Sequence, residues 1–331
     1  MTFKYNQVFV EDAATIAGPY EAKGPLKKYF DQTFDNLYHG EKSWETAEAK
    51  ILEDSIRALL KKTKKTKEDI DVIISGDLMN QITSSCYSSE KFNFPFLGIY
   101  SACATSVEGM ILGSSLIDGG KVNRAIASTS SHNMSSEKQF RNPTEYGAPK
   151  PKTATFTATG GASILLTNEN TGIKVESSTI GRIVDYEQND PFNMGAVMAP
   201  AAADTMHRHL MDLNRTPDYY DLILTGDLGT YGKEILIDFM KTEYGLDISR
   251  NYNDCGTMLY DLEKQKEVQA GGSGPVCSAL VNYSVVLELL KKKKIKKVLL
   301  VATGALFSPT FVYQHENILS IAHAISLEVI K

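Results

Sequence analysis

Asp71-Val72-Ile73-Ile74-Ser75-Gly76-Asp77-Leu78 and Asp221-Leu222-Ile223-Leu224-Thr225-Gly226-Asp227-Leu228 are near copies, 150 residues apart in a chain of 331. Five of the eight positions are identical and three exchange like for like. Each reads as a short apolar strand running into Gly-Asp. A unit this long exceeds a solenoid repeat. It predicts two copies of one α/β half, packed as a pair. A second match follows in the same order. Ser101-Ala102-Cys103-Ala104-Thr105-Ser106 opens an apolar helical run, then a basic turn, then a strand ending at Ser128. Gly274-Pro275-Val276-Cys277-Ser278-Ala279 opens a similar run, then Lys291 to Lys297, then the strand Val298 to Thr303. Pairing Arg124 with Lys297 gives an offset of 173, with Cys103 and Cys277 one residue out of register. Each half therefore reads strand, loop, small-residue elbow, buried helix, strand.

The halves are placed at residues 1–171 and 172–331, close to the usual domain size. With 42% hydrophobic and 23% charged residues, disorder is not expected. A net charge of −5 argues against general nucleic-acid affinity. Met1-Thr2-Phe3-Lys4-Tyr5 lacks a signal-peptide pattern, and no apolar run approaches the ~18 residues of a membrane span. Cytosolic synthesis is the expectation. The four cysteines form no CxxC pair, so reduced thiols are expected and zinc is not.

Along the chain, Ala47, Ile51, Leu52, Ile56, Leu59 and Leu60 predict a helix over 46–62. Strands are expected at 70–75, 96–100 and 123–130, and a helix at 104–118. Residues 131–153, with Pro143, Gly147, Pro149 and Pro151, read as one long irregular segment. Gly160-Gly161 reads as a turn before a strand to Leu166, and 173–186 as a strand pair. Helices are expected at 200–214, 231–244 and 276–290, with a strand at 220–225.

The strand, the small-residue elbow and the Cys at a helix start, doubled across two halves, resemble the thiolase and β-ketoacyl synthase superfamily. Gly271-Gly272-Ser273-Gly274 adds to the likeness. The resemblance implies a duplicated five-layer α-β-α-β-α fold with two mixed sheets. It also implies a homodimer, through an edge strand placed near 123–130. A closer likeness runs through Ser130-Ser131-His132-Asn133, Glu137 to Arg141, Pro143 to Gly147, Lys150 to Thr155 and Met198 to Ala202. These phrases resemble the stage V sporulation protein AD family. That likeness implies a protein of spore formers that binds dipicolinic acid, with or without calcium, during uptake into the developing spore. It further implies synthesis in the forespore, a peripheral place on the spore inner membrane, and the other stage V sporulation A-operon membrane proteins as partners.

Cys103 is the sharpest position. A helix start lowers a thiol's pKa from about 8.5, and the amides of residues 104–106 are expected to face the sulfur and any anion beside it. Acyl transfer also needs a base and an oxyanion hole. In ketoacyl synthases a His follows the first repeat strand of the second half, and a His or Asn comes from the glycine-rich loop. The matching places here are Gly226-Asp227-Leu228 and Gly272-Ser273-Gly274, without either residue. Asp227 would raise a neighbouring thiol's pKa. The reading is a binding scaffold without catalytic residues; the alternative is a Cys103-dependent acyltransferase or condensing enzyme.

The expected ligand site comprises Cys103, Ala104 and Thr105 at the elbow, Ser273 in the glycine-rich loop, and Lys150 and Lys152 as charge donors. Tyr146 is expected to stack on the ring, His132 follows a strand end, and His209 is the more inward of a helical His pair. The repeat-related Asp77 and Asp227 complete the set, on the two sides of the cavity. Two carboxylates are thin for calcium, which takes six to eight oxygens, so no protein-only metal site or cofactor is expected. The runs Lys61 to Lys67 and Lys291 to Lys297 read as helix C-termini complementing their dipoles, or as contacts for anionic lipid heads.

Overall fold

A computed structural model describes residues 1–140 and 150–330. Its backbone repeats itself. In the first half the strands Phe9–Ala17, Val72–Gly76, Phe96–Gly98, Arg124–Ser131 and Gly160–Thr167 lie side by side in the order first, fifth, fourth, second, third. In the second half Ile173–Thr179, Leu222–Thr225, Tyr252–Asp254, Lys297–Leu306 and Leu319–Val329 take the same order. In each sheet the second strand runs parallel to the third and fourth, and the fifth runs antiparallel to its neighbours. The two sheets join edge to edge at Phe9 and Lys174, and the short strand Thr2–Lys4 of the first half extends the seam by pairing antiparallel with Ile173–Thr179.

The repeated first aspartate makes the same tie in each half. Asp71 accepts the amides of Asn123 (2.7 Å) and Arg124 (2.9 Å). Asp221 accepts those of Lys296 (2.6 Å) and Lys297 (3.0 Å). One carboxylate per half thus ties the start of the second strand to the start of the fourth.

Helices complete five layers. Trp44–Thr63, capped by Ser43 in a reciprocal box with Thr46, covers the outer face of the first sheet. Met194–Asp212 and Gly229–Tyr244 pair on the outer face of the second. Between the sheets lie Thr105–Asp118 and the helix Pro275–Lys291, which contains a π-helical turn at Asn282–Val286. Ser106 and Ser278 link these inner helices at 2.8 Å. The central core therefore draws on both halves: Ile74, Val107, Met110 and Leu166 pack in one cluster with Leu280 and Leu300. Burying each such side chain contributes about 1.5–3 kcal/mol.

Several expectations are corrected. The strand Arg124–Ser131 is internal, paired on both sides, and the open edge of the first sheet is Phe96–Gly98. Gly160 and Gly161 lie inside a strand rather than in a turn. A Cβ on Gly161 would sit 2.7 Å from the Ile51 carbonyl, so the residue marks close helix–sheet contact. Residues 133–140 form a helix. Ile173–Thr179 is a single strand. The helix expected from 200 begins at Met194 behind an Asn193 cap, and carries Pro200 inside it.

Candidate functional site

The elbow before the first inner helix is a strained turn. Ala102 has φ +48°, a left-handed conformation unusual for a side chain with Cβ. Neighbours hold it there. Thr105 Oγ1 accepts the Ser101 amide (3.1 Å) and donates to the Ala102 carbonyl (2.7 Å). The amides of Ala104 and Thr105 donate to the carbonyls of Ser101 (3.0 Å) and Ala102 (3.3 Å). Those amides are thus consumed by the turn and do not face a ligand, contrary to the sequence expectation. Gly304 lets the neighbouring strand approach, since a Cβ there would strike the Ser101 carbonyl.

The turn presents Cys103, half-buried, to Asp227 and Ser273. Ser273 Oγ lies 3.8 Å from the sulfur and donates to Asp227 Oδ2 at 2.9 Å. The same oxygen accepts the Gly274 amide at 3.2 Å, and Thr303 donates to the other oxygen at 2.7 Å. Gly226-Asp227-Leu228 and Gly272-Ser273-Gly274 therefore converge on the sulfur, bringing a carboxylate and a hydroxyl. Burial, then the charge of Asp227, pushes the Cys103 thiol well above its ordinary value. Burial likewise raises the Asp227 carboxyl. A protonated thiol beside a carboxylate is a hydrogen-bond donor and a poor nucleophile.

Cys103 and Ser273 line a cavity walled by Tyr100, Phe140, Phe307, Met194 and Met198. Its polar lining continues through Ser136, Glu137 and Thr157. Ser136 is 3% exposed and its hydroxyl has no partner among the described residues. Glu137 forms an ion pair with Lys150 at 2.7 Å. Lys150 therefore reaches the rim through Glu137.

Other expected residues stand elsewhere. Ala104 is fully buried, and Thr105 braces the elbow. Asp77 accepts the amides of Met79 (2.8 Å) and Ser85 (2.7 Å), capping the helix Thr83–Glu90. His132 is held by the Leu37 carbonyl (2.8 Å) and the Met134 amide (3.2 Å). His209 lies between Thr179 (2.8 Å) and Tyr220 (2.7 Å) in the outer layer of the second half. Burial lowers both imidazoles to about 4, so both are neutral at pH 7. Lys152 is exposed and does not line the cavity. Tyr146 lies outside the described residues. Among the described residues there is no group of three or more His, Cys, Asp or Glu able to hold a metal ion, and no helix long and apolar enough to cross a membrane.

Sequence reasoning missed Ser136, Glu137, Tyr100, Phe140 and Phe307. Tyr100, one residue before the elbow, carried a positional signal, and Glu137 and Phe140 stand in the Glu137 to Arg141 phrase that carried the resemblance.

The fold is thiolase-like. It matches 3-oxoacyl-[acyl-carrier-protein] synthase III from Aquifex aeolicus VF5 with a TM-score of 0.59 at 11% identity, covering 97% of this chain and 99% of that one. It matches cerulenin-bound OleA from Xanthomonas campestris with a TM-score of 0.64 at 11% identity, covering 99% and 100%. At such identities the likeness is one of fold. In sequence the chain is 47% identical to Stage V sporulation protein AD of Bacillus subtilis (strain 168) over 321 residues, 97% of this chain and 94% of that protein. The family model for Stage V sporulation protein AD matches residues 1–328. With nearly the whole length matched by both, this chain belongs to the Stage V sporulation protein AD family.

Proposed function

We propose that this protein binds dipicolinic acid, free or as its calcium chelate, in the cavity beside Cys103, and serves dipicolinate uptake into the developing spore without catalysing acyl transfer. The observation that carries this reading is the buried Ser136 hydroxyl, without a partner among the described residues, in a cavity walled by aromatic rings. A buried hydroxyl without a partner costs about 1–3 kcal/mol, which a ligand carboxylate relieves. Tyr100, Phe140 and Phe307 offer flat faces to a pyridine ring. One ligand carboxylate would take Ser136 and Lys150, the other Ser273 and the Cys103 thiol. In the chelate, the ligand supplies three donors to calcium, and Glu137 with water adds toward the six to eight that ion takes.

Calorimetry with dipicolinate, with and without calcium, tests the reading. Saturable heat is expected, weakened at least tenfold by Ser136→Ala and by replacing dipicolinate with isophthalate, which lacks the ring nitrogen. Absence of heat in both conditions sinks it. One observation favours a second reading, acyl transfer by Cys103: the sulfur sits on a strained turn that opens into a cavity. Incubation with acyl-CoA followed by intact-mass analysis separates the two, since an acyl adduct on Cys103 would overturn the non-catalytic reading.

A further inference from the structure

The two lysine runs, more than two hundred residues apart in sequence, meet at one place. Trp44–Thr63 packs against the outer face of the first sheet and Pro275–Lys291 against its inner face. Their C-termini emerge together at Asp12. Lys62 Nζ is 3.4 Å and Lys291 Nζ 2.6 Å from the same Asp12 oxygen. Tyr29 lines the groove between them. Glu288, bonded to Lys292, also feels the charges of Lys28 and Lys294, which brings a third basic segment to this face.

Helix-dipole complementation accounts for only part of this. It acts within the last turn, which holds Lys61, Lys62 and Lys291. Lys64, Lys293, Lys294 and Lys296 lie past the helix ends, exposed and without an ion pair among the described residues. Lys64 and Lys293 both take a left-handed φ of 54°, so each run turns sharply.

Nor did duplication produce the patch. In the first half, the turn after the inner helix is Gly119 to Asn123, with one lysine. In the second half, the turn after the outer helix is Leu213 to Thr216, and its Arg215 is committed to Glu176 at 2.7 Å. Two turns unrelated by the repeat became lysine-rich where the fold joins them.

We propose that this face docks on an anionic lipid bilayer. The runs contain lysine and no arginine. They therefore offer point charges for a diffuse negative surface rather than the bidentate forks that read individual phosphates. An anionic leaflet attracts clustered lysines within a Debye length. The chain as a whole carries −5, so the remaining surface is acidic, repelled by the same leaflet, and orients the docked molecule.

The test is co-sedimentation of the full chain with phosphatidylcholine vesicles, and with phosphatidylcholine vesicles containing about one third phosphatidylglycerol. Binding to the anionic vesicles is expected to be at least tenfold stronger and to collapse between about 50 and about 500 mM salt. Lys293→Glu/Lys294→Glu/Lys296→Glu and Lys61→Glu/Lys64→Glu should each weaken it severalfold and abolish it together. Lys241→Glu/Lys266→Glu, away from both runs, should not. These side chains are exposed, so an unchanged melting midpoint is expected and shows that the variants are folded. Equal binding to both vesicle types, or full binding by the combined variant, overturns the proposal. So does equally tight binding of duplex DNA through the same lysines, which would make the face a general polyanion site.

Discussion

Asp77 and Asp227 hold the same place in the two halves and do different work. Asp77 turns back on its own loop and caps the helix that follows. Asp227 reaches across to Ser273, Thr303 and the neighbourhood of Cys103. The second half still has a carboxylate capping the helix after its repeat strand, but Asp254 supplies it, accepting the amides of Leu228 (2.9 Å) and Gly229 (3.0 Å) and the Thr225 hydroxyl (2.8 Å). A duplicated fold can thus release a residue for a site once another takes over its structural bonds. Burial raises all three carboxyls, Asp254 to about 7.

The largest test of that division is Asp254→Ala. It strands two buried amides, leaving the Thr225 hydroxyl to Tyr252, and is expected to cost about 3 kcal/mol in urea unfolding. Asp254→Asn should cost less than half of that. A loss under about 1 kcal/mol for the alanine variant would show that Asp254 has not assumed the capping role.

Next in size is the effect on the sulfur. Removing the charge with Asp227→Asn should lower the Cys103 pKa, because a neighbouring negative charge disfavours the thiolate. The pH profile of iodoacetamide labelling at Cys103 then shifts to lower pH, with a rate about tenfold higher at pH 8, equal to a shift of roughly one pKa unit. Asp77→Asn should leave that profile in place. Equal responses from the two variants would break the comparison.

The smallest effect concerns what the halves share. Asp71→Ala and Asp221→Ala each free two backbone amides at an exposed strand start, and each is expected to cost about 1 kcal/mol. Losses that differ by more than about 1 kcal/mol would show that the repeated tie is not equivalent in the two halves.

These residues also show why the sequence was readable where it was. The strand, Gly-Asp and the first aspartate are local and repeated, so two copies displayed both the fold and its internal symmetry. The Cys103 elbow was legible from small residues clustered ahead of an apolar helix. The cavity wall was not. Tyr100, Phe140 and Phe307 come from separate elements, and no periodicity links them. The helix Asn133–Phe140 is rich in polar residues, and long-range bonds hold it, Ser135 to Glu48 (2.6 Å) and Gln139 to the Leu78 carbonyl (2.7 Å). No hydrophobic period announces it, so Ser136 was hidden with it, and Glu137 showed only as part of a family phrase and not as a cavity residue. Histidine was a poor guide, because a buried neutral ring and a ligand-binding one look alike in sequence. Asp77 and Asp227 looked equivalent for the same reason: the repeat specifies where each carboxylate starts, and the loops decide what it reaches.

The seam between the sheets is short: Phe9 meets Lys174, and Thr2–Lys4 pairs with Ser177–Thr179. Cohesion between the halves rests on this seam and on the inner helices, each of which touches both sheets. Nicking the connection at residues 168–172 would sever one covalent link and leave that shared apolar surface whole. The two fragments, made separately, should find each other and reassemble, with Ser106 and Ser278 meeting again at the centre.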